Sequence, residues 1–154
     1  KNFGVSARTM MNKGDLPYMN ELAWRDAQAF NPDIVIVKLG TNDSKTHNWA
    51  HGVDEYRQSM QAMIDTLKAL PSKPKIYLCS PIPAFKDSWT ISDSIIVNGE
   101  MPIIKKLAKK NKCQFIDLHT SYTYGDLMLK DGIHPNAKGA EKMANIIFEA
   151  IEKK

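Results

Sequence analysis

Four β-branched residues in succession, Ile34-Val35-Ile36-Val37, constrain the fold more than any other stretch of this chain. The run continues to Leu39 and shows no polar alternation. A strand that is apolar on both faces is covered on both faces, as in a parallel sheet. Lys75–Ser80 repeats the pattern with Ile76, Tyr77, Leu78 and Cys79, and Pro81 and Pro83 stop it. Gln114–Leu118 is a third such run, and Lys1–Val5 reads as the tail of a strand entering a loop.

Helical spacing fills the intervals. Asn20–Phe30 carries Leu22, Ala23, Ala27 and Phe30 on one side, and Val53–Leu70 carries Tyr56, Met60, Met63, Ile64, Leu67 and Leu70. A helix is expected from about Gly99 to Asn111, with Pro102 in its first turn. The last helix is expected from Ala137 to about Lys153, with Ala140, Met143, Ala144, Ile147, Phe148 and Ile151 inward. Strands alternating with helices make βαβ units: one α/β domain over residues 1–154, a parallel sheet between two helical layers, with right-handed crossovers.

With 154 residues the chain can bury roughly 68–70% of its extended surface. No apolar run approaches the roughly 18–20 residues that span a bilayer, so a membrane partner is not expected. The N-terminus has no signal-peptide pattern and no initiator Met, so it does not speak to compartment. Net charge is +4, and Lys105, Lys106, Lys109, Lys110 and Lys112 cluster on one helix. No aromatic residues interleave with them as base stacking requires, so they read as a solvated face and not as a nucleic-acid site. Cys79 and Cys113 lie in apolar runs and read as buried free thiols.

The chemistry concentrates in loops at the carboxyl ends of the strands, where open α/β sheets gather ligands. In Asp131-Gly132-Ile133-His134-Pro135-Asn136 a carboxylate precedes an imidazole by three residues. The carboxylate can fix the tautomer while the free ring nitrogen acts as general base. Gly132 permits the tight turn between them, and Pro135 can start the following helix. Gly40-Thr41-Asn42-Asp43 and Phe3-Gly4-Val5-Ser6 supply neutral donors. The Asn42 amide and the Gly4 N–H suit a developing oxyanion, a stabilisation of about 3–4 kcal/mol per donor.

Asn2-Phe3-Gly4-Val5-Ser6-Ala7-Arg8-Thr9, Leu39-Gly40-Thr41-Asn42-Asp43 and Asp131 to Asn136 together resemble, in order, the second, third and fifth blocks of the SGNH (GDSL-type) esterases. The wording between blocks is similar to that of sialate O-acetylesterases and related bacterial carbohydrate acetylesterases. The resemblance implies a three-layer, flavodoxin-like fold and a serine esterase acting on O-acetyl or other short acyl esters of a carbohydrate such as sialic acid. It implies Gly4 and Asn42 as oxyanion donors, Asp131 and His134 as two triad members, and no metal or organic cofactor. The alternatives are a lipase or thioesterase on the same scaffold and a non-catalytic carbohydrate-binding domain.

The family's first block, Gly-Asp-Ser, bears the nucleophile, and it is absent from this chain. Ser6 belongs to another block, and Ser80 is followed by Pro81, so neither replaces it. The chain is therefore expected to lack an N-terminal segment and to be nearly inactive by itself. In the family the missing strand lies between Gly4 and Ile34–Leu39. With about five apolar side chains such a strand contributes on the order of 10 kcal/mol, comparable to a domain's whole net stability. The missing segment, a second copy, or an inward slide of Lys1–Val5 is expected to fill the gap.

Other candidates carry less. His47 and His51 lack an accompanying Glu and read as loop residues beside the cleft, not as metal ligands. His119 reads as structural. Phe85 and Trp89 suit either a platform for a sugar ring or a cover for the core. Asp43 is expected to brace its loop, beside the substrate.

Overall fold

A computed structural model describes residues 1–152. Helix α1 (Leu22–Ala29) follows a 3-10 turn and leads into strand β1 (Ile34–Val37). Short α2 (Thr46–Trp49) and long α3 (Val53–Ala69) precede β2 (Lys75–Cys79). The next helical stretch opens with α4 (Asp93–Ile95), widens into a π-turn over Ile96–Glu100, and continues as α5 (Met101–Asn111). Strand β3 (Gln114–Ile116), α6 (Leu118–Ser121) and α7 (Ala137–Glu152) complete the chain. Lys153, where the last helix was expected to end, lies outside the described residues.

The strands form one parallel sheet in the order β1-β2-β3, with Val35 opposite Ile76 and Leu78 opposite Phe115. One apolar cluster joins α3 (Tyr56, Met60, Met63, Ile64, Leu67) and α5 (Ile104, Leu107) to Ile76 and Leu78. Another joins Tyr77, Cys79 and Ile116 to Leu118 and Tyr122, with Met143, Ile147 and Ile151 of α7 packed against it. The two sets alternate along β2, so its two faces feed two cores, as the unbroken apolar runs require.

Several expectations need correction, and most share a cause. β1 is not covered on both faces: Ile34 is 50% and Ile36 44% exposed. Lys1–Val5 pairs with no strand and has not slid against β1. A groove of about 390 Å³ runs between Lys1–Val5 and β1, lined also by Trp24, Ala27 and Phe30. Of the stripe expected on α1, Ala27 and Phe30 line this groove, Ala23 packs on the core and Leu22 is exposed, while Trp24 supplies the buried side chain. On α7, Ala140, Ala144 and Phe148 are exposed, because nothing among the described residues covers that edge of the stripe. His47 lies on the one-turn α2 rather than in a loop, bridging to Asp15 at 3.2 Å. Thr120, expected in an irregular stretch, lies in α6.

The lysines of α5 and Lys112 are exposed, and Lys105 sits 5.4 Å over the ring of Phe115. Cys79 and Cys113 are free thiols, the first buried and the second half-buried, with burial raising both pKa values. No helix among the described residues is long and apolar enough to cross a membrane.

Candidate active site

The turn Asp131–His134 closes on itself. Asp131 Oδ1 accepts the backbone N–H groups of Ile133 at 2.7 Å and His134 at 2.8 Å. Its other oxygen, Oδ2, lies 3.2 Å from His134 Nδ1. The His134 and Ile133 backbone N–H bonds hold the Asp131 carboxyl below its usual range. Gly132 makes the turn possible at φ +69°, against the side chain of Lys86. Outside the turn, the Leu129 N–H donates to the His134 carbonyl at 2.7 Å. Asn136 caps α7, its Oδ1 accepting from Gly139 N–H at 3.0 Å; Pro135 lies just before that cap and does not begin the helix. His134 is 55% exposed at its side chain, and its Nε2 has no partner among the described residues. A base needs this combination of one ring nitrogen fixed and the other open.

His134 and Asn42 line one cleft of about 470 Å³, with Ser6, Ala7, Lys38, Thr41 and Trp89 also on its walls. Asn42 Nδ2 donates to the Arg8 carbonyl at 3.3 Å, which orients the amide and leaves its second hydrogen free. Ser6 is exposed on the wall, whereas Ser80 is fully buried and accepts from His119 N–H at 3.0 Å. His119 Nε2 lies 3.0 Å from Asp93 Oδ1 and ties α6 to α4, a structural role.

Two residues stand differently from the sequence reading, and one to which it gave no role takes a place at the site. Gly4 lines the neighbouring groove and not the cleft, and its N–H is taken by Asn2 Oδ1 at 2.8 Å. The cleft instead receives Ala7, whose φ of +66° costs a non-glycine residue about 1–2 kcal/mol. Its N–H has no partner among the described residues. Strain of this kind gathers at functional sites. No glycine marks the position, so the sequence held no signal for it.

Asp43 is fully buried beneath the cleft and cannot touch a ligand in it. Its oxygens accept the N–H groups of Met10 at 2.8 Å and Met11 at 2.7 Å, which anchors the Asn42 loop to the segment carrying Ala7. Burial raises its pKa to about 7, outweighing those two bonds.

Trp89 stands 58% exposed at the cleft mouth, its ring 5.7 Å from the His134 ring and tilted by 70°. It and Thr90 both have left-handed backbones, at φ +52° and +61°. Phe85 turns away, 6.5 Å from the ring of Tyr122. Arg8, Lys38 and Lys45 line the cleft, and no carboxylate among the described residues does. Arg8 pairs with Glu21 at 2.6 Å and Lys45 with Asp15 at 3.4 Å. Lys38 has no acidic partner among the described residues, and desolvation lowers its pKa. No group of three or more potential metal ligands occurs among the described residues.

The family model of the GDSL-like lipase/acylhydrolases matches residues 1–142. An acetylxylan esterase of Xylanibacter ruminicola is 53% identical over 99% of this chain, which spans 35% of that protein. A multidomain esterase of Ruminococcus flavefaciens is 28% identical over 80% of the chain, which spans 16% of it. Among solved structures, an acetyl xylan esterase shares the fold with a TM-score of 0.72 at 24% identity, covering 96% of this chain and 78% of that one. A GDSL-like lipase from Bacteroides thetaiotaomicron aligns with a TM-score of 0.67 at 28% identity, covering 84% and 66%.

Proposed function

This chain belongs to the GDSL-like lipase/acylhydrolase family, and from that premise we propose that it forms the acid–base and oxyanion part of a serine esterase that removes acetyl groups from carbohydrate. The observation that carries the proposal is that His134, Asn42 and Ala7 line one cleft, with His134 Nε2, one Asn42 amide hydrogen and the Ala7 N–H left without partners among the described residues. Ala7 takes the role that the sequence suggested for Gly4. A serine presented between them attacks the ester carbonyl, and His134 takes its proton, oriented by Asp131. Asn42 and Ala7 hold the oxyanion. His134 then protonates the departing sugar hydroxyl, and water repeats the cycle.

The serine itself is supplied by an extended segment seated in the groove beside β1, which opens next to the cleft: Val5, Lys38 and Leu39 line both. The 154 residues by themselves then release acetate only at the residual rate that binding and an oxyanion hole support. The name of the 53% identical relative supports acetylated xylan as substrate.

A sialic acid ester is the second reading. Lys38, on the cleft wall without an acidic partner among the described residues, suits the carboxylate of an acidic sugar, and a Danio rerio relative named N-acetylneuraminate (7)9-O-acetyltransferase is 23% identical over 62% of the chain. The test is acetate release by the esterase that contains this segment, assayed on acetylated xylo-oligosaccharide and on O-acetylated sialic acid. His134→Ala is expected to lower kcat by about 10⁴-fold or more. Full activity in that variant, or equally fast release by the isolated 154 residues, overturns the proposal.

A further inference from the structure

Directly behind the Asn42 loop lies a polar group that the chemistry above does not use. Glu100 ends the π-turn between α4 and α5, and its side chain is fully buried. Neither of its oxygens finds a hydrogen-bond partner among the described residues, and neither does the hydroxyl of fully buried Tyr56 from α3. Both groups press on the same point. A Cβ placed on Gly40 would lie 2.4 Å from Glu100 Oε2 and 3.1 Å from the Tyr56 hydroxyl. Gly40, at φ +134°, stands two residues before Asn42.

The local chain is built to bring Glu100 there. The extra residue of a π-turn rotates the following side chain off the ordinary helical register, and such turns recur at functional sites. Gly99 lets the turn press against the ring of Trp49, within 2.4 Å of where its Cβ would be. Trp49 in turn packs on Tyr56 at 5.6 Å. An ionisable side chain buried without a partner costs stability, and an apolar residue of the same size would avoid that cost.

We propose that Glu100, together with Tyr56, is a positioning residue for the cleft: the two side chains form the floor under Gly40 and set where Asn42 presents its amide. The role rests on the reading of Asn42 as an oxyanion donor. Burial, and then the charge of nearby Asp43, favour the neutral acid at Glu100. Burial likewise keeps Tyr56 protonated, with Glu100 and Asp43 adding to it. A neutral floor matters because a carboxylate there would repel the negative charge that the cleft has to stabilise.

The test follows the Asn42 side-chain amide and the Gly40 N–H by NMR in the 154-residue protein, from mildly acid to mildly alkaline pH. Asp43 contributes one step near 7. A second step, at pH well above the usual carboxylate range, is expected in the parent and absent from Glu100→Gln, with neutral-pH signals otherwise matching. Tyr56→Phe is expected to move the Gly40 signal. Glu100→Leu displaces both signals at every pH. In the active esterase, Glu100→Gln retains kcat, and Glu100→Leu lowers it by about 10²-fold with KM unchanged. Loss of no step in Glu100→Gln, or parent-like Asn42 signals in Glu100→Leu, overturns the assignment. Should Glu100→Leu fail to fold, the Glu100→Gln arm decides alone. If His134→Ala leaves esterase activity intact while the Asn42 signals still follow Glu100, the functional reading falls and the positioning role stands.

Discussion

At the scale of single residues, Asp43 shows how burial becomes a pH dependence. Its ordinary carboxyl value of 3.8 rises to about 7 in the fold, so the folded chain holds the proton more tightly than the unfolded chain. The resulting stability is complete below about pH 4 and is lost as pH rises through about 7, a span of about 4 kcal/mol. Asp43→Asn is expected to flatten this fall, measured as urea midpoints on either side of neutrality. The same change turns an amide NH₂ toward Met10 or Met11 N–H, at a cost of about 1–3 kcal/mol. Ala7 offers an opposite case. Ala7→Gly relieves a left-handed backbone at the expense of unfolded-chain entropy, so the net gain in stability is at most about 1 kcal/mol. A loss measured in the same urea experiment would show that its backbone is unstrained. The Asp131–His134 pair was legible because its partners sit within one turn of chain. Ala7 and Glu100 were not: an alanine does not announce positive φ, and a glutamate near a helix start ordinarily faces water.

At the scale of elements, β1, β2 and the long α3 were readable because unbroken apolar runs and 3.6-residue spacing persist over many positions. The single turns α2, α4 and α6 hold too few residues to show a period, and a π-turn breaks the period outright. Helix α7 displays the limit of periodicity: its apolar stripe was legible, but Ala140, Ala144 and Phe148, read as inward, have no cover among the described residues. The contrast gives a measurable difference. Phe148→Lys on the bare edge is expected to change stability by no more than about 0.5 kcal/mol in this chain. Ile64→Ala, in the closed core of α3, is expected to cost about 2–5 kcal/mol in chemical denaturation. A large loss from Phe148→Lys would mean that this edge is covered in solution.

At the scale of the whole molecule, the sheet ends at β1, and its outer edge borders an apolar groove with Ile34, Ile36 and Phe30 exposed nearby. That the visible strands run parallel could be anticipated from their alternation with helices, but the gap could be inferred only from family resemblance. Unpaired edges recruit other strands. In the isolated chain the available strand is that of a second copy, so Tm is expected to rise with protein concentration, and Ile36→Lys is expected to remove that rise. A concentration-independent Tm in a monodisperse monomer would show the groove to be stable while open. The carboxylate and imidazole of the Asp131–His134 turn are joined by bonds that begin and end within four residues. The backbone of that turn is held from outside as well, by Phe85 N–H on the Gly132 carbonyl at 2.9 Å and by Ser88 Oγ on the Asp131 carbonyl at 2.8 Å. Under the proposed function, a break between this turn and the serine is expected to yield two inert pieces whose reassembly, rather than whose refolding, restores turnover.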